Sequence, residues 1–519
     1  EEAISSQEAE KWKQAIQEEL EAHQKNRTWT MEHLPQGRKT IGYKWVFKIK
    51  NPSDKNPRYK ARLCAKGFSQ KPGVDYEEIY APVIRYESIR TLLGIAADRD
   101  LEMTQFDIKT AFLHGELNES IYMDVPLGVE TKQGKVCKLM KSLYGLKQAS
   151  RQWNSKFDEF LKSFNFTQST ADPCVYKGYI DNVSVFLGLY VDDGLVLAET
   201  MEALNKVLAV LRNYFEITVG HPSSFVGIQI SRDRQNHSIF IHQENYIERI
   251  LEIFKMKEAK SVSVPADINS IKTLMENNST NNIDVPYRRA IGCLTFLSQV
   301  TRPDISYIVN FLSRYLTCYT DHHWRAVKRV IRYLAGTRKL GIVYKRNDNG
   351  IALTGYSDAD YAGDINTRRS TSGYIFTISG GPVSWASQRQ KMVSLSTTEA
   401  EYVAANSATK ELVWLRRLIS DLEYQCDKPT TLYVDNQSTI KLIKNPEFHQ
   451  KSKHIDIRFH FIREKYADGT LNIEYVESKK QCADFLTKAL PKQNFEIQLR
   501  LLNMYNYDCN MKALEQWEY

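Results

Sequence analysis

Two adjacent aspartates in the tetrapeptide Tyr190–Asp193 constrain this chain more than any other feature. Short apolar runs lie on both sides of them, FLGLY ending at Tyr190 and LVLA following Gly194. Because aspartate is disfavoured inside strands, the pattern predicts a β-hairpin with the acids at its tip. Two carboxylates on a tight turn repel each other unless they share a cation, and aspartate oxygens suit a hard ion such as Mg²⁺. An ordinary Asx-rich turn is the alternative interpretation.

Asp107 is the candidate partner of this pair. It lies in the segment TQFDIKTAFLHG, where a predicted strand passes into a turn and a helix. Taken alone, Asp107 is better explained as a helix N-cap. Paired with Asp192, it becomes a candidate two-metal site, in which cations hold the attacking and leaving oxygens of a phosphoryl transfer. The two acids are far apart in sequence, so only the fold can bring them together.

A second set of acids occupies the last third of the chain. Asp358 and Asp435 fall at or near predicted strand ends, whereas Glu401 and Asp484 open predicted helices. Helix caps and dipole partners would explain each acid separately. Three hairpin-like strands, followed by alternating helices and strands, predict a mixed α/β layer on which all four acids can converge.

The choice between Glu399 and Glu401 depends on helix phase. Each glutamate can close a capping box, the first with Ser396 and the second with Thr398. Only Glu401 shares a helix face with the small residues Ala404 and Ala408, which favours Glu401 as the residue that meets the sheet.

Composition excludes several classes of protein. The 519 residues, 42% of them hydrophobic, predict several globular domains. The net charge of +8 is compatible with a polyanionic partner without proving one. Eight scattered cysteines without a C-x-x-C pair argue against structural zinc and for a reducing compartment. No apolar run reaches membrane-spanning length, so we expect no membrane partner. A first residue other than Met suggests a piece of a longer polyprotein.

Four strings in the first half of the chain resemble the reverse transcriptase of copia-type LTR retrotransposons. They occur in that family's order over roughly residues 8–260 and read KARLCAKGFSQ, QFDIKTAFLHGEL, KSLYGLKQASRQW and LYVDDGLVLA. The resemblance implies that Asp107 and Asp192 are the principal metal ligands and that Asp193 supports them.

The same resemblance implies a set of substrate-binding residues. Lys60 and Arg62 would cover the incoming triphosphate, although on composition alone a solvated strand face is the better explanation. Phe112 would close the sugar pocket against a 2′-hydroxyl, with plain core packing as the alternative. Gln148 would pack near the nucleotide sugar and the template base. The primer end would be gripped by a hairpin that contains Phe225 and Gly227.

Three later strings resemble an RNase H domain over roughly residues 350–490, namely RRSTSGYIF, SLSTTEAEY and ADFLTK. The resemblance implies catalysis and metal binding by Asp358, Glu401, Asp435 and Asp484. Many cellular RNases H carry a histidine before the last aspartate. This chain has none between Tyr475 and Asp484, so His454 or His460 would have to supply one.

The resulting fold prediction is a multidomain chain of α/β and α+β class. A right-hand polymerase of fingers, palm and thumb precedes an RNase H-like α/β domain. Trp12, Ile16 and Leu20 form one stripe of the predicted first helix, and a polar stretch near residues 267–286 is the candidate linker. The predicted units are an N-terminal helix (1–24), fingers and palm (25–260), a helical thumb or connection with the linker (261–345), the RNase H-like domain (346–490) and a C-terminal tail (491–519).

The resemblance also implies the reaction and its partners. The chain would extend a DNA primer on an RNA template with dNTPs, then cleave the RNA of the RNA–DNA hybrid, using two Mg²⁺ or Mn²⁺ ions per site. The element's integrase and capsid proteins would be partners, in a cytoplasmic virus-like particle or in the nucleus. One alternative is a co-opted, non-catalytic nucleic-acid-binding or particle-assembly protein. Another is a cellular RNase H fused to an inert domain.

Overall fold

The computed structural model describes residues 3–50, 57–276, 283–347, 350–423, 428–445 and 460–506. The helices are α1 (Ala9–Lys25), α2 (Tyr86–Arg99), α3 (Ala149–Ser163), α4 (Met201–Tyr214), α5 (Glu244–Ile253), α6 (Ile268–Glu276), α7 (Tyr287–Val300), α8 (Ser306–Ser313), α9 (Asp321–Gly336), α10 (Thr397–Asp421), α11 (Gln437–Lys444), α12 (Phe461–Ala467) and α13 (Lys492–Leu501). The described helices include none that is both long enough and apolar enough to cross a bilayer.

The strands form five sheets among the described residues. They are β1 (Trp29–His33), β2 (Tyr43–Lys50), β3 (Arg58–Ala65), β4 (Glu102–Ile108), β5 (Glu116–Met123), β6 (Lys135–Lys141), β7 (Thr167–Gln168), β8 (Val175–Ile180), β9 (Val183–Tyr190), β10 (Asp193–Ala198), β11 (Ile217–Gly220), β12 (Ser224–Phe225), β13 (Ile228–Asp233), β14 (Ser238–His242), β15 (Leu340–Lys345), β16 (Thr354–Ala359), β17 (Thr371–Ile378), β18 (Gly381–Arg389), β19 (Thr430–Val434), β20 (Leu471–Tyr475) and β21 (Met504–Asn506).

Helix α1 packs on strand β3 with a face that differs from the predicted stripe. The helix begins at Ala9, and Ile16 and Leu20 are only half-buried. A hydrogen bond explains this difference in the buried face. The Glu19 carboxylate accepts it from the backbone N–H of Leu63 at 3.1 Å, which turns this side of the helix towards the strand. The buried face consists of Trp12, Ala15, Glu19 and His23.

The central sheet is antiparallel, with the strand order β11–β4–β10–β9–β8–β7. Successive residues of β10 alternate between its two faces, as a pleated strand requires. Leu195 and Leu197 join the core that contains α2, whereas Val196 and Ala198 join the core that contains α3 and α4. Strand β10 is therefore buried on both sides, which holds its first residue, Asp193, at a defined place.

Two smaller units of β-structure are formed by strands outside the central sheet. Strands β2 and β3 form an antiparallel hairpin, and β1, β6 and β5 form a three-stranded sheet. Leu63, Ile121 and Leu139 belong to one core that joins these units. The hairpin carries Lys60 and Arg62, so that shared core sets the position of both cations.

A bridging sheet, with the order β12–β13–β14–β15–β21, joins distant parts of the chain. Its last strand comes from the region predicted to be a tail, and that prediction is wrong for residues 492–506. They form α13 and β21, and β21 pairs with β15 because β15 would otherwise present an open edge. The linker prediction is also wrong for Ile268–Glu276, which form a helix with Ile271 and Leu274 buried.

The C-terminal mixed sheet has the order β18–β17–β16–β19–β20. Its first three strands are antiparallel, and β19 and β20 run parallel to β16. Helix α10 crosses one face, where Ala400 and Ala404 contact Ala359 of β16. Small side chains let the helix approach the sheet closely. The predicted sequence of three hairpin strands followed by alternating helices and strands is confirmed.

A buried arginine connects the central sheet to the C-terminal mixed sheet. The Arg90 guanidinium of α2 donates to the carbonyl oxygens of Val383 at 2.7 Å, Gln299 at 2.7 Å and Val300 at 2.8 Å. It also lies 3.9 Å from the ring centre of Trp385. The charge is therefore satisfied by backbone carbonyls of β18 and α7 together with the Glu87 carboxylate of α2 at 3.2 Å, which joins three elements from separate parts of the chain.

We expect Arg90→Met to lower the free energy of unfolding by about 3 kcal/mol or more, because buried carbonyls lose charged donors. Denaturant unfolding followed by circular dichroism measures this change. Arg99→Met is the matched control, since Arg99 forms a half-exposed ion pair with Glu199 and we expect a change of less than about 1 kcal/mol. Equal effects of the two substitutions would contradict a connecting role for Arg90.

Two candidate metal centres

The predicted acid hairpin is present, and its turn is strained. Asp193 pairs with Tyr190, which leaves Val191 and Asp192 as the two turn residues. Val191 has a φ of +57°, a left-handed conformation that costs a β-branched residue about 1–3 kcal/mol. The Trp153 indole of α3 donates to the Val191 carbonyl at 2.6 Å. A side chain from outside the hairpin therefore helps to hold the turn that carries Asp192.

Asp107 lies inside strand β4 and is not a helix cap. Its backbone pairs with Asp193 on one side and with Thr218 on the other. The following residue, Ile108, donates its N–H to the Asp192 carbonyl at 2.9 Å. The short 3₁₀ turn that follows has Thr110 at its N-cap, so the capping alternative for Asp107 is wrong. Register alone places Asp107 beside the hairpin tip.

Cations and acids share a cleft at this edge of the central sheet. The cleft has a volume of about 870 Å³, and its lining includes Lys60, Arg62 and Asp107. Burial raises the pKa of Asp192, and the negative charge of Asp107 raises it further. The backbone N–H of Asp192 and the charges of Arg62 and Lys60 oppose that shift. The acids and the predicted phosphate-binding residues are thus electrostatic neighbours.

Tyr144 lies in the middle of this group, and the sequence analysis missed it. Its ring packs edge-on against Phe112 at 4.8 Å between ring centres, and the Arg62 guanidinium lies 4.5 Å from its ring centre. Burial raises its pKa to about 12, and the charges of Asp192 and Asp107 contribute. The one available signal was its place in the string KSLYGLKQ. Phe112 itself is half-buried, so it is neither a free surface ring nor plain core.

Gln148 does not line the cleft, and its predicted role near the nucleotide stays a prediction. The side chain is fully buried. Its Oε1 accepts from the Gln70 amide at 3.0 Å, and its Nε2 donates to the Asp75 carbonyl at 2.8 Å. Both ends of the amide are therefore used to hold the neighbouring loop. Tyr144, four residues earlier in the chain, lines the cleft.

The predicted primer hairpin is a tight turn between β12 and β13. Phe225 pairs with Ile228, and the two residues between them both have positive φ, +47° for Val226 and +80° for Gly227. The Tyr86 hydroxyl donates to the Val226 carbonyl at 3.3 Å. The Phe225 ring is buried in the core, so any contact of this hairpin with a primer would come from its turn, and the role of the hairpin stays a prediction. Gly227 remains exposed at the turn.

Three acids of the second set converge on the C-terminal mixed sheet. Ligand oxygens of Asp358, Glu401 and Asp435 all lie within 4.8 Å of one another, and the described residues contain no other such group of three. Asp107, Asp192 and Asp193 therefore do not approach one another as closely. Thr487 donates to Asp358, and Ser478 donates to Asp435 at 2.9 Å. The predicted convergence is confirmed for three of the four acids.

Burial and like charges disfavour ionisation in this cluster. Burial raises the pKa of Glu401, and the charges of Asp358 and Asp435 raise it further. Burial also raises the pKa of Asp358; the Lys488 ammonium opposes that shift, whereas Asp484 adds to it. The Oε2 atom of Glu401 is buried and has no hydrogen-bond partner. A cation at this point would satisfy that oxygen and relieve the repulsion.

The caps of the nearby helices are other residues. The Ser396 hydroxyl accepts the N–H of Glu399, and the Glu399 carboxylate accepts the N–H of Leu395 at 2.7 Å. Glu399 therefore serves the start of α10, and the choice of Glu401 for the cluster is confirmed. Helix α11 is capped by Asn436, which accepts from Thr439 at 2.9 Å. This excludes the capping alternative for Asp435.

Comparison with known proteins decides the family. Residues 26–268 match the model of the reverse transcriptase (RNA-dependent DNA polymerase) family. Over 516 residues, the chain is 44% identical to a retrovirus-related Pol polyprotein from the transposon TNT 1-94 of Nicotiana tabacum. The match covers 97% of this chain and 39% of that polyprotein. Over 311 residues, it is 32% identical to a putative transposon Ty5-1 protein of Saccharomyces cerevisiae. That match covers 59% of this chain and the whole of the yeast protein. The chain belongs to the copia-type reverse transcriptases.

This copia-type reverse transcriptase spans about two fifths of the tobacco polyprotein it matches. Among solved structures, it was matched to the protease–reverse transcriptase of prototype foamy virus. That match has a TM-score of 0.25 and 13% identity, and it covers 92% of this chain and 54% of that chain. A likeness of this size carries no weight for the fold. The topology described above instead supports a polymerase followed by an RNase H-like α/β unit.

Reverse transcriptases use divalent metal ions, and the residues of both centres fit them. Both centres offer carboxylate oxygens, which suit Mg²⁺ and Mn²⁺ better than thiolates or imidazoles would. In the second centre, the unpartnered Glu401 oxygen and the mutual repulsion of two buried acids and the half-buried Asp435 fit the same ions. Asp484 lies beside this group without belonging to it, and its Oδ1 contacts the Lys488 ammonium at 2.6 Å.

Of the two histidines predicted to serve the second centre, His454 and His460, the structure describes only His460. His460 begins helix α12, and its Nδ1 lies 3.3 Å from a guanidinium nitrogen of Arg463. His454 lies outside the described residues. His460 does not belong to the acid group at Asp358, and a histidine role in this site stays a prediction.

Proposed function

We propose that this chain is an RNA-directed DNA polymerase whose second centre cleaves the RNA strand of RNA–DNA hybrids. The observation that carries the proposal is the register of β4 and β10. It places Asp107 beside the Asp192 turn, in a cleft that Lys60 and Arg62 also line. Acids for metal ions and cations for a triphosphate thus meet on one sheet edge.

In the polymerase centre, Asp107 and Asp192 would hold two Mg²⁺ or Mn²⁺ ions, and Asp193 would support them. When bound, such ions stabilise charge on the attacking primer oxygen and the leaving pyrophosphate oxygen. Lys60 and Arg62 neutralise the triphosphate from the hairpin above the cleft. The exposed turn at Gly227 contacts the primer end. Tyr144, packed between Phe112 and Arg62, lines the nucleotide pocket in place of Gln148.

The right-hand description follows from these roles. The central sheet with α2, α3 and α4 is the palm, because it carries the acids. The β2–β3 hairpin and the sheet β1–β6–β5 are the fingers. The helices α5 and α7 to α9, which follow strands β13 and β14 of the bridging sheet, are the thumb or connection. Strand β15 comes between them and the RNase H-like unit.

Phe112 sets the choice of sugar in this proposal. Its half-buried ring is held by Tyr144, so it cannot turn away from a 2′-hydroxyl without losing that contact. We expect Phe112→Ala to raise the ratio of kcat/KM for ribonucleotides over deoxynucleotides by about tenfold to a hundredfold. Single-nucleotide incorporation on a primed RNA template measures this ratio.

Phe164→Ala is the matched control for that experiment. It removes a half-buried ring just after α3, where Phe164 packs on Phe160 and Tyr214 without itself lining the cleft. The control should leave the ratio unchanged. An unchanged ratio in Phe112→Ala would leave Phe112 as ordinary packing.

In the nuclease centre, Asp358, Glu401 and Asp435 would hold the metal ions, and Asp484 would complete the set. When bound, such ions activate the attacking water and stabilise the leaving oxygen of the RNA backbone. Thr487 and Ser478 orient Asp358 and Asp435 through the hydrogen bonds described above. The hybrid made at the first centre is the substrate of the second, which gives one chain both activities.

Primer extension by the 519-residue chain, with labelled dNTPs and a primed RNA template, tests the proposal. We expect incorporation with Mg²⁺ and none with EDTA. Absence of incorporation would favour the co-opted, non-catalytic alternative, and hybrid cleavage alone would favour an RNase H fused to an inert domain. Integrase and capsid of the same element are the proposed protein partners, in cytoplasmic virus-like particles or the nucleus.

A further inference from the structure

Lys488 stands out among the charged residues around the nuclease centre. It follows a 3₁₀ turn over Asp484–Leu486, and its backbone N–H donates to the Asp484 carbonyl at 3.2 Å. This single turn brings the ammonium back over the Asp484 carboxylate, with 2.6 Å between Nζ and Oδ1. One short segment therefore contributes both an acid and its counter-charge.

The contact has the character of an ion pair more than of a directed hydrogen bond. The Oδ1 atom of Asp484 is buried and has no well-aligned hydrogen-bond donor, although the ammonium is close. The Lys488 side chain is 47% exposed and that of Asp484 12%. A half-exposed, poorly aligned ammonium can leave the carboxylate without breaking the surrounding core.

The charge of Lys488 reaches beyond Asp484. It acts on Asp358 and Asp435, and it also opposes the effect of burial on Glu401. In the part of the chain that the structure describes, the only ion pair of these four acids is the one between Asp484 and Lys488. Without Lys488, several buried carboxylates would face one another without a nearby positive charge.

We propose that Lys488 is the internal counter-cation of this centre: it neutralises the acids in the metal-free protein and competes with a divalent ion for Asp484. Lys488 is thus a positioning residue that sets metal affinity through Asp484. The inference rests on the proposed nuclease function, which supplies the reason for a metal at these acids. It also explains why Asp484 lies outside the group of three, since the ammonium already holds it.

Metal binding without nucleic acid tests this role. The full chain carries Asp107→Asn and Asp192→Asn, so that only the second centre binds Mn²⁺, and calorimetry gives the Kd. We expect Lys488→Met to tighten Mn²⁺ binding by on the order of tenfold, because a unit charge within a few ångströms of the site is removed. Lys488→Arg keeps the charge and should stay within about threefold of the parent.

Thermal unfolding of the same variants gives a second readout. In EDTA, Lys488→Met should melt at a lower temperature than the parent, because the acids lose their counter-charge. Saturating Mn²⁺ should remove that difference. Lys480→Met is the matched control, since Lys480 is exposed and pairs only loosely with Glu477 at 3.7 Å, and it should change neither quantity.

The outcomes separate this inference from the proposed function. If Lys488→Met binds Mn²⁺ with an unchanged or higher Kd, the counter-cation role is overturned, even if the wild-type chain cleaves hybrids. A tighter Kd together with absence of hybrid cleavage by the wild-type chain supports the role of Lys488 and refutes the nuclease function.

Discussion

Asp192→Asn should abolish DNA synthesis on a primed RNA template while hybrid cleavage continues at the wild-type rate. Asparagine keeps the size of the side chain and its preference for turns, so the strained hairpin should still form. It removes the negative charge that a metal ion needs at this position. We expect kcat for extension to fall at least about a thousandfold, the equivalent of about 4 kcal/mol of transition-state stabilisation. Single-turnover primer extension, with hybrid cleavage assayed in parallel, measures both activities.

Asp181→Asn is the control for this substitution, because Asp181 occupies another hairpin turn of the same sheet. It has a φ of +50° and pairs with Lys206 at the surface. Its loss should leave synthesis unchanged. Extension near the wild-type rate in Asp192→Asn would remove the basis for the polymerase assignment.

Glu401→Gln should give the reverse pattern, with hybrid cleavage reduced at least about a thousandfold and primer extension retained. Glu401 is only 4% exposed, and one of its oxygens has no partner in the protein. Glutamine fits the same space and relieves the repulsion from Asp358 and Asp435. The metal-free variant should therefore unfold at no lower temperature than the wild type, which separates a catalytic effect from misfolding. Cleavage of a labelled RNA–DNA hybrid in Mg²⁺ gives the rate.

Glu399→Gln provides the comparison within the same helix turn. Its carboxylate accepts the Leu395 N–H, so the substitution weakens a helix cap by about 1 kcal/mol and should leave cleavage close to the wild-type rate. If Glu399→Gln lost cleavage and Glu401→Gln retained it, the assignment of the two glutamates would have to be exchanged.

Local features of the fold were predictable because neighbouring residues encode them. The acid hairpin follows from two apolar runs around a turn, and the phase of α10 follows from its alanines. Features that depend on long-range contacts were not predictable in this way. Asp107 is a strand residue because β10 and β11 pair on either side of it. Gln148 is buried because a loop more than 70 residues earlier uses both ends of its amide.

Family strings identified the acids of both centres, but they did not reveal the residues that support them. Tyr144 becomes a site residue only when Arg62 and Phe112 pack on its ring. Lys488 reaches the second acid group only because a 3₁₀ turn returns its ammonium to Asp484. Both residues lie in the quoted strings KSLYGLKQASRQW and ADFLTK, but the strings alone do not reveal these contacts.

The Asp192–Asp193 pair shows what the sequence and what the tertiary structure each determined. The sequence by itself determined that two carboxylates lie at a hairpin tip, because turn formation and strand alternation depend on adjacent residues. Only the tertiary structure decided which further groups share their surroundings, namely Asp107 through strand register and Lys60 and Arg62 through the cleft. The physical reason is that a site needs groups within a few ångströms, and only long-range pairing and packing can bring distant residues to that distance.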